Sequence, residues 1–340
     1  MIKDSKYLFA YVVPLLTASS IYSTGILCYT TLIFVFILIP ILEPIFPLST
    51  YNLNAQEQTS YQKNTFFDWM LYMNVPIIYL LLGLYIFELS THTHSLFEQI
   101  GMMLSVGTMM GAGINVAHEL GHKNQWYKQF LAKLILLPCQ YMHFIIEHNL
   151  GHHKYVATDQ DPASAKKNEM VYFFWLRSMT LSYFSAWKLE KSRLNRLGLS
   201  PWSTKNQMIH FLFTQLLFSF LIFWFFGLTI TLLYMGSALV SVLLLETINY
   251  IEHYALRRER KANGKYERVK PIHSWNSEHQ LGRILLYELT RHSDHHYLAH
   301  KKYQLLDHHR EAKQLPFGYP TSMLLSLCPP LWFKVMNSRI

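Results

Sequence analysis

Apolar positions along this chain gather into long runs, and the runs come in pairs separated by short polar turns. One pair fills about 7–21 and 26–45, with Ser23, Thr24 and Gly25 at the turn. A second fills about 69–89 and 97–117 around the turn STHTHS, and a third fills about 208–226 and 228–248. About 20 apolar residues in a helix rising about 1.5 Å each cross a bilayer core about 30 Å thick. The pattern therefore predicts six transmembrane helices in three hairpins. The stretch 130–146 is apolar too, but it is short and holds Lys133, Pro138, Gln140 and His143. A buried or re-entrant helix packed beneath the polar segments suits it better than a span. Residues 171–190 mix aromatic and basic side chains, as a helix lying in a membrane interface does. Between the second and third runs lies a polar stretch, 49–67, rich in Asn, Gln, Ser and Thr.

Composition supports an integral membrane protein. Hydrophobic residues make up 51% and charged residues 15%, against about 25% charged in an average soluble domain. The net charge of +9 would also suit a nucleic-acid binder. Its distribution argues otherwise. Apart from Lys3, Lys6 and Lys63, every Lys and Arg lies between Gly121 and Lys205 or from Arg257 onward. Clusters flanking apolar runs are what the positive-inside rule places in the cytoplasm, and no nucleic-acid motif accompanies them. Both termini are then cytosolic, and the whole chain, 1–340, reads as a single all-α membrane domain. Its six transmembrane helices carry a cytosolic helical cap formed by 118–205 and 249–340. Lys3 and Lys6 precede the first run as in a signal peptide. That run continues past Gly25 to Phe46 with no small-residue cleavage site, so two spanning helices are expected rather than a leader. The cysteines, Cys28, Cys139 and Cys328, form no CxxC pair and provide no four-thiolate iron site.

The chemistry lies in the histidines. HELGH carries His118 and His122, EHNLGHH carries His148, His152 and His153, and RHSDHH carries His292, His295 and His296. Imidazole ligates iron, zinc and copper alike. On a helix, residues three or four apart share a face, which pairs His118 with His122, His148 with His152, and His292 with His295. His153 and His296 then point about 100° around the helix, where a second metal ion can be reached. A lone HxxxH is common on exposed helices. Three such clusters on one membrane face predict a histidine-rich dimetal site. HELGH also fits the zinc-protease pattern HExxH with Glu119 as base, but that leaves the other two clusters unexplained. His253, in NYIEHY, follows the last apolar run and offers a ninth imidazole. Each cluster also sets an acid beside a histidine: Glu119, Glu147, Glu252 and Asp294. Carboxylates that accept the distal N–H of ligating imidazoles fix the ring tautomer and offset metal charge, and these four are candidates for that task. His92, His94, His143, His210, His279, His300, His308 and His309 show no such pattern and read as ordinary polar residues. His273 is either a supporting or a structural residue.

These segments resemble the membrane diiron oxygenases and, within them, the alkane 1-monooxygenases. The resemblance rests on HELGHK (118–123), EHNLGHH (147–153), NYIEHYALR (249–257), HSWNSEH (273–279), LTRHSDHH (289–296), KYQLL (302–306) and LPFGYPTSMLLSLCPPLW (315–332). It runs from about Gly113 to Trp332, with one departure, Ala255 where the family has glycine. It implies a non-haem diiron centre, two iron ions held by His118, His122, His148, His152, His153, His253, His292, His295 and His296. It further implies O2-dependent hydroxylation of a terminal C–H bond of a medium- or long-chain n-alkane. Electrons would come from a separate rubredoxin and its NADH-dependent reductase, at the cytoplasmic side of a bacterial inner membrane. The basic stretch 257–270 would suit an acidic rubredoxin, and it suits ordinary positive-inside charge equally well. Residues 69–117 and 208–248 would wall an apolar tunnel, because an alkane offers no hydrogen-bonding handle. Two alternatives remain at this stage. One is a related hydroxylase or desaturase acting on a fatty acyl, aromatic methyl or terpenoid group. The other is a metal transporter, which would want ligands near the bilayer midplane rather than at one end.

Overall fold

The structure, a computed structural model, describes Asp4–Ile340; Lys3 lies outside the described residues. It is predominantly helical. Among the described residues four helices are long and apolar enough to cross a bilayer: Gly25–Ile45, Phe66–Thr91, Leu96–Gly121 and Gln207–His253. The first predicted span is instead a 3-10 helix, Asp4–Tyr11, running into a ten-residue α-helix, Val12–Ile21. The fifth and sixth belong to one 47-residue helical run, broken at Gly227 by φ 79° and ψ 179°.

The segments divide into two compact units. The first comprises Met1–Leu38, Thr65–Ile145 and Glu190–Leu245, and its helices fold back as hairpins. Phe218 and Tyr234 touch, ring centroids 5.8 Å apart, although sixteen residues of straight helix would separate them by about 24 Å. The chain therefore reverses at Gly227, in a backbone region that is essentially glycine-only. Gly25, at φ 58°, reverses the chain earlier, and Thr17 Oγ1 meets Thr31 Oγ1 at 3.1 Å across that turn. Helix Leu96–Gly121 begins with a capping box formed by Ser95 and Glu98. Glu98 also accepts the N–H of Gly25 at 2.8 Å. Further along, a Cβ on Gly107 would lie 2.8 Å from the Ser237 carbonyl oxygen, and Ser237 Oγ donates to the Met103 carbonyl at 2.9 Å. Small residues thus allow two apolar helices to pack backbone to backbone. The apolar stretch at 130–146 does not span. It holds an 11-residue helix, Trp126–Leu136, about 16 Å long against a bilayer core of about 30 Å, and then a turn with Gln140 at φ 56°.

The second unit comprises Ile39–Asn64, Ile146–Leu189 and Glu246–Ile340. The polar stretch after the second apolar run therefore joins the histidine-bearing segments, which the expected cap of 118–205 and 249–340 did not include. The reason is hydrogen bonding. Leu48 forms an antiparallel bridge with His279, and Ser49 N–H donates to the Glu278 carbonyl at 3.0 Å. Arg291 donates to the carbonyls of Tyr51 at 2.9 Å, Ser49 at 3.2 Å and Leu306 at 2.6 Å. Helix Ala55–Lys63, closed by a capping box of Asn54 and Glu57, accepts Gln304 Nε2 at the Tyr61 carbonyl. Two short parallel strands, Trp275–Asn276 and Lys313–Gln314, tie the C-terminal segments together. Helix Val171–Arg196 buries Val171, Phe174, Ser178, Ser182 and Ala186 and exposes Phe173, Leu176 and Phe184, the two-sided pattern expected of an interfacial helix.

Candidate metal centre

In the first unit, helix Leu96–Gly121 ends by presenting His118 and His122, whose rings lie 4.9 Å apart. Glu119 beside them pairs with Lys123 at 2.7 Å.

The second unit gathers seven imidazoles. His148, His153 and His295 form one group, and His152, His253, His292 and His296 form another. His153 Nε2 lies 3.0 Å from His148 Nε2 and 3.1 Å from His295 Nε2. His152 Nε2 lies 3.2 Å from His296 Nε2, and His292 Nε2 lies 3.1 Å from His253 Nε2. A metal ion bonded to imidazole nitrogens at about 2.0–2.1 Å holds neighbouring ligand atoms about 2.9–3.4 Å apart. The spacing and the all-nitrogen donor set therefore fit a metal ion in each group. Between the groups, the His153 and His296 rings stack with centroids 4.3 Å apart.

This sorting differs from the one that α-helical spacing predicts. His148–His152 is a π-turn, a local widening frequent at functional sites. It brings His148 to the histidine five residues on and sends His152 to the other group. In helix His292–Tyr297, His292 shares its group with His296, four residues on, and His295 turns to the other. The imidazoles still fall into two groups, with the pairing rearranged.

Buried carboxylates surround these rings: Glu147, Asp161, Glu246, Glu252 and Asp294. Asp161 Oδ2 meets His152 Nδ1 at 2.9 Å, accepts Ser164 Oγ, and leaves Oδ1 to accept the Ala163 N–H at 3.1 Å. Burial alone would raise the Asp161 pKa, but the His152 charge and these hydrogen bonds hold it below the usual range. Burial would conversely lower His152, and Asp161 raises it overall. His296 stays well below 6.5 through burial and its imidazole neighbours, so its ring is neutral with a lone pair to offer. Glu252 Oε2 lies 3.1 Å from His292 Nε2 while its Oε1 accepts the Tyr319 hydroxyl at 2.8 Å. Glu147 accepts Ser185 Oγ at 3.3 Å, and burial with the nearby Asp161 charge pushes it up to about 8. Asp294 binds His309 and Lys301, each at 2.7 Å; against the effect of burial, these contacts keep its pKa low. Neither Asp161 nor Tyr319 adjoins a histidine cluster, so helix spacing did not point to them, although Tyr319 lies in the segment 315–332 that carries the resemblance. The remaining histidines have other partners, among them His308 on Glu278 at 2.9 Å and His273 on Glu267 at 3.2 Å. His143 is buried against Tyr141, and burial lowers its pKa to about 4.

This chain is similar to known proteins over most of its length. The fatty acid desaturase family matches residues 96–323. Alkane 1-monooxygenase of Acinetobacter baylyi is 36% identical over 89% of this chain and 74% of its own length. Alkane 1-monooxygenase 1 of Alcanivorax borkumensis is 38% identical, over 82% of this chain and 69% of that protein. The Pseudomonas putida alkane 1-monooxygenase is 35% identical, over 89% and 75% respectively. With its long apolar helices and buried imidazole groups, the chain is an integral membrane enzyme that belongs to the fatty acid desaturase family and, within it, to the alkane 1-monooxygenases.

Proposed function

We propose that this protein hydroxylates the terminal methyl group of medium- and long-chain n-alkanes to 1-alkanols. The observation that carries the reading is the convergence of seven imidazoles, six buried and His153 half-buried, into two groups with Nε2 separations of 3.0–3.2 Å. In this reading His152, His253, His292 and His296 hold one iron. His148, His153 and His295 belong to the other, and His118 and His122 are the remaining ligands of the set of nine. The chain acts as a single membrane domain with six crossings, in a bacterial inner membrane, with the site facing the cytoplasm.

When bound, the two irons supply the O2 activation that an unactivated C–H bond requires, since such a bond offers acid–base catalysis no handle. One oxygen atom enters the alcohol and the other leaves as water. Two electrons arrive from reduced rubredoxin, reloaded by an NADH-dependent reductase, and two protons come from solvent. The protein's own part is to hold and shield. Burial of six of the seven imidazoles, with His153 half-buried, limits the access of bulk water to the groups. Asp161 orients His152, and the Tyr319 hydroxyl fixes the Glu252 carboxylate beside His292. The buried acids offset the metal charge that neutral imidazoles leave uncompensated. The apolar helices orient the alkane by shape.

The test gives octane to cells co-expressing the chain with a rubredoxin and its reductase. Formation of 1-octanol is expected. Its absence, with conversion of fatty acids or terpenoids instead, refutes the substrate assignment. Substitution His152→Ala should abolish iron retention and turnover together; a variant that keeps both removes His152 from the ligands.

A further inference from the structure

We propose that Asp161 sets the tautomer of His152, keeping the ring proton on Nδ1 so that Nε2 faces the four-imidazole group as a lone pair. The inference rests on the metal-centre reading above and deepens it. Asp161 is thus a positioning residue, acting on metal binding through His152.

The geometry leaves the carboxylate no freedom. Asp161 is 2% exposed and His152 is 1% exposed. Oδ1 accepts the backbone N–H of Ala163, two residues on. Oδ2 accepts from Ser164 Oγ and faces His152 Nδ1 at 2.9 Å. Ser164 Oγ is itself held, accepting the Ala157 N–H at 2.8 Å. An ionised carboxylate only accepts hydrogen bonds, so the His152 nitrogen that faces it must carry hydrogen. The opposite nitrogen, Nε2, points to His296 Nε2 at 3.2 Å and is left to ligate.

The same fixed contacts make one substitution informative. In Asp161→Asn the Ala163 N–H still demands an acceptor, which selects the amide oxygen for the Oδ1 position. The amide nitrogen then occupies the Oδ2 position, facing His152 Nδ1. As a donor it forces Nδ1 to accept, and the ring proton moves to Nε2, where it blocks the metal. This near-isosteric change should therefore do more harm to metal binding than Asp161→Ala, which removes the acceptor but imposes no tautomer. A purely space-filling role predicts the reverse order.

The experiment is equilibrium titration of metal-free wild-type, D161N, D161A and D161E proteins in lipid nanodiscs with ferrous iron, read as iron bound per chain. Loss of a carboxylate supporting a metal-bound histidine typically weakens metal affinity about 10–100-fold. D161A should fall in that range at one of two sites, D161N should fall at its upper end or beyond, and D161E should recover part of the loss. The other site should keep its affinity in every variant. Melting of the metal-free proteins provides the folding control. If metal-free D161N is unfolded, Ser164→Ala, which loosens the carboxylate without removing it, should show a smaller loss at the same site. Equal binding by D161N and wild type, or a greater loss in D161A than in D161N, overturns the proposal and leaves the metal-centre reading standing. A wild-type protein that binds no iron overturns both.

Discussion

Replacing Arg291 by lysine keeps the positive charge and removes the planar fork of donors, so it isolates what the fork contributes. Arg291 is 3% exposed and immediately precedes His292. Its Nη2 serves the carbonyls of Tyr51 and Ser49, its Nη1 serves the Leu306 carbonyl, and its Nε approaches Glu278 at 3.4 Å. Lysine gathers its three donors at one point and cannot reach both sides of the fork. Ser49 and Glu278 retain Arg283 as a partner. The acceptor that loses its donor is then the buried Leu306 carbonyl, at about 1–3 kcal/mol, or the Tyr51 carbonyl, which solvent reaches and which costs less. At about 2.1 cal/mol/K of unfolding entropy per residue, a chain of 340 residues shifts by about 1.4 °C per kcal/mol. The apparent melting temperature should therefore fall by about 1–4 °C. Because Arg291 ties the polar stretch at 49–52 to the segment bearing His292, His295 and His296, iron retention after detergent extraction should fall as well. The assay is thermal denaturation in nanodiscs with iron analysis of the same samples. An Arg291→Lys protein with wild-type melting and full iron would refute the reasoning that this fork holds the two segments together.

Three further outcomes are expected. A Cβ at Gly318 would lie 1.9 Å from Glu43 Oε2, so Gly318→Ala should destabilise by about 1–3 kcal/mol, as overpacking does. Thermal melting checks this, and adding Glu43→Ala should relieve part of the loss. Ala255, at φ 59°, stands in the left-handed region, where a side chain costs about 1–2 kcal/mol. Ala255→Gly should recover that strain less the added chain entropy of glycine, a net gain of about 0.5–1 kcal/mol, read as a higher melting temperature with unchanged iron content. Gly227→Val forces a β-branched residue into the glycine-only turn at φ 79° and ψ 179°, at a cost of about 1–3 kcal/mol. Its yield of monodisperse protein by size-exclusion chromatography should drop; a wild-type yield would refute the tight reversal.

Much of the site was legible because ligand chemistry is local. Seven of the expected ligands meet in the second unit as two groups, and His253, which spacing alone left weak, lies among four mutually close imidazoles. Ala255 had marked a departure from the family's glycine, and its positive φ shows the backbone reason for that preference. The membrane runs were legible because hydropathy and length are additive along a segment. The division of the histidines was not legible. Counting three or four residues assumes α-helical winding, and the π-turn at His148–His152 changes which imidazoles share a face.

By itself, then, the sequence determined the apolar helices, the polar and basic segments between them, and the imidazoles of the candidate centre, all properties of residue type and near neighbours. Only the tertiary structure decided which histidines group together, that Asp161 and Tyr319 reach into the site, and that the stretch at 48–64 packs with the histidine segments. Asp161 lies nine positions from His152, and the other outcomes depend on hydrogen bonds between residues tens to hundreds of positions apart. Such bonds form only where the folded chain buries their donors and acceptors together, and no local spacing encodes them.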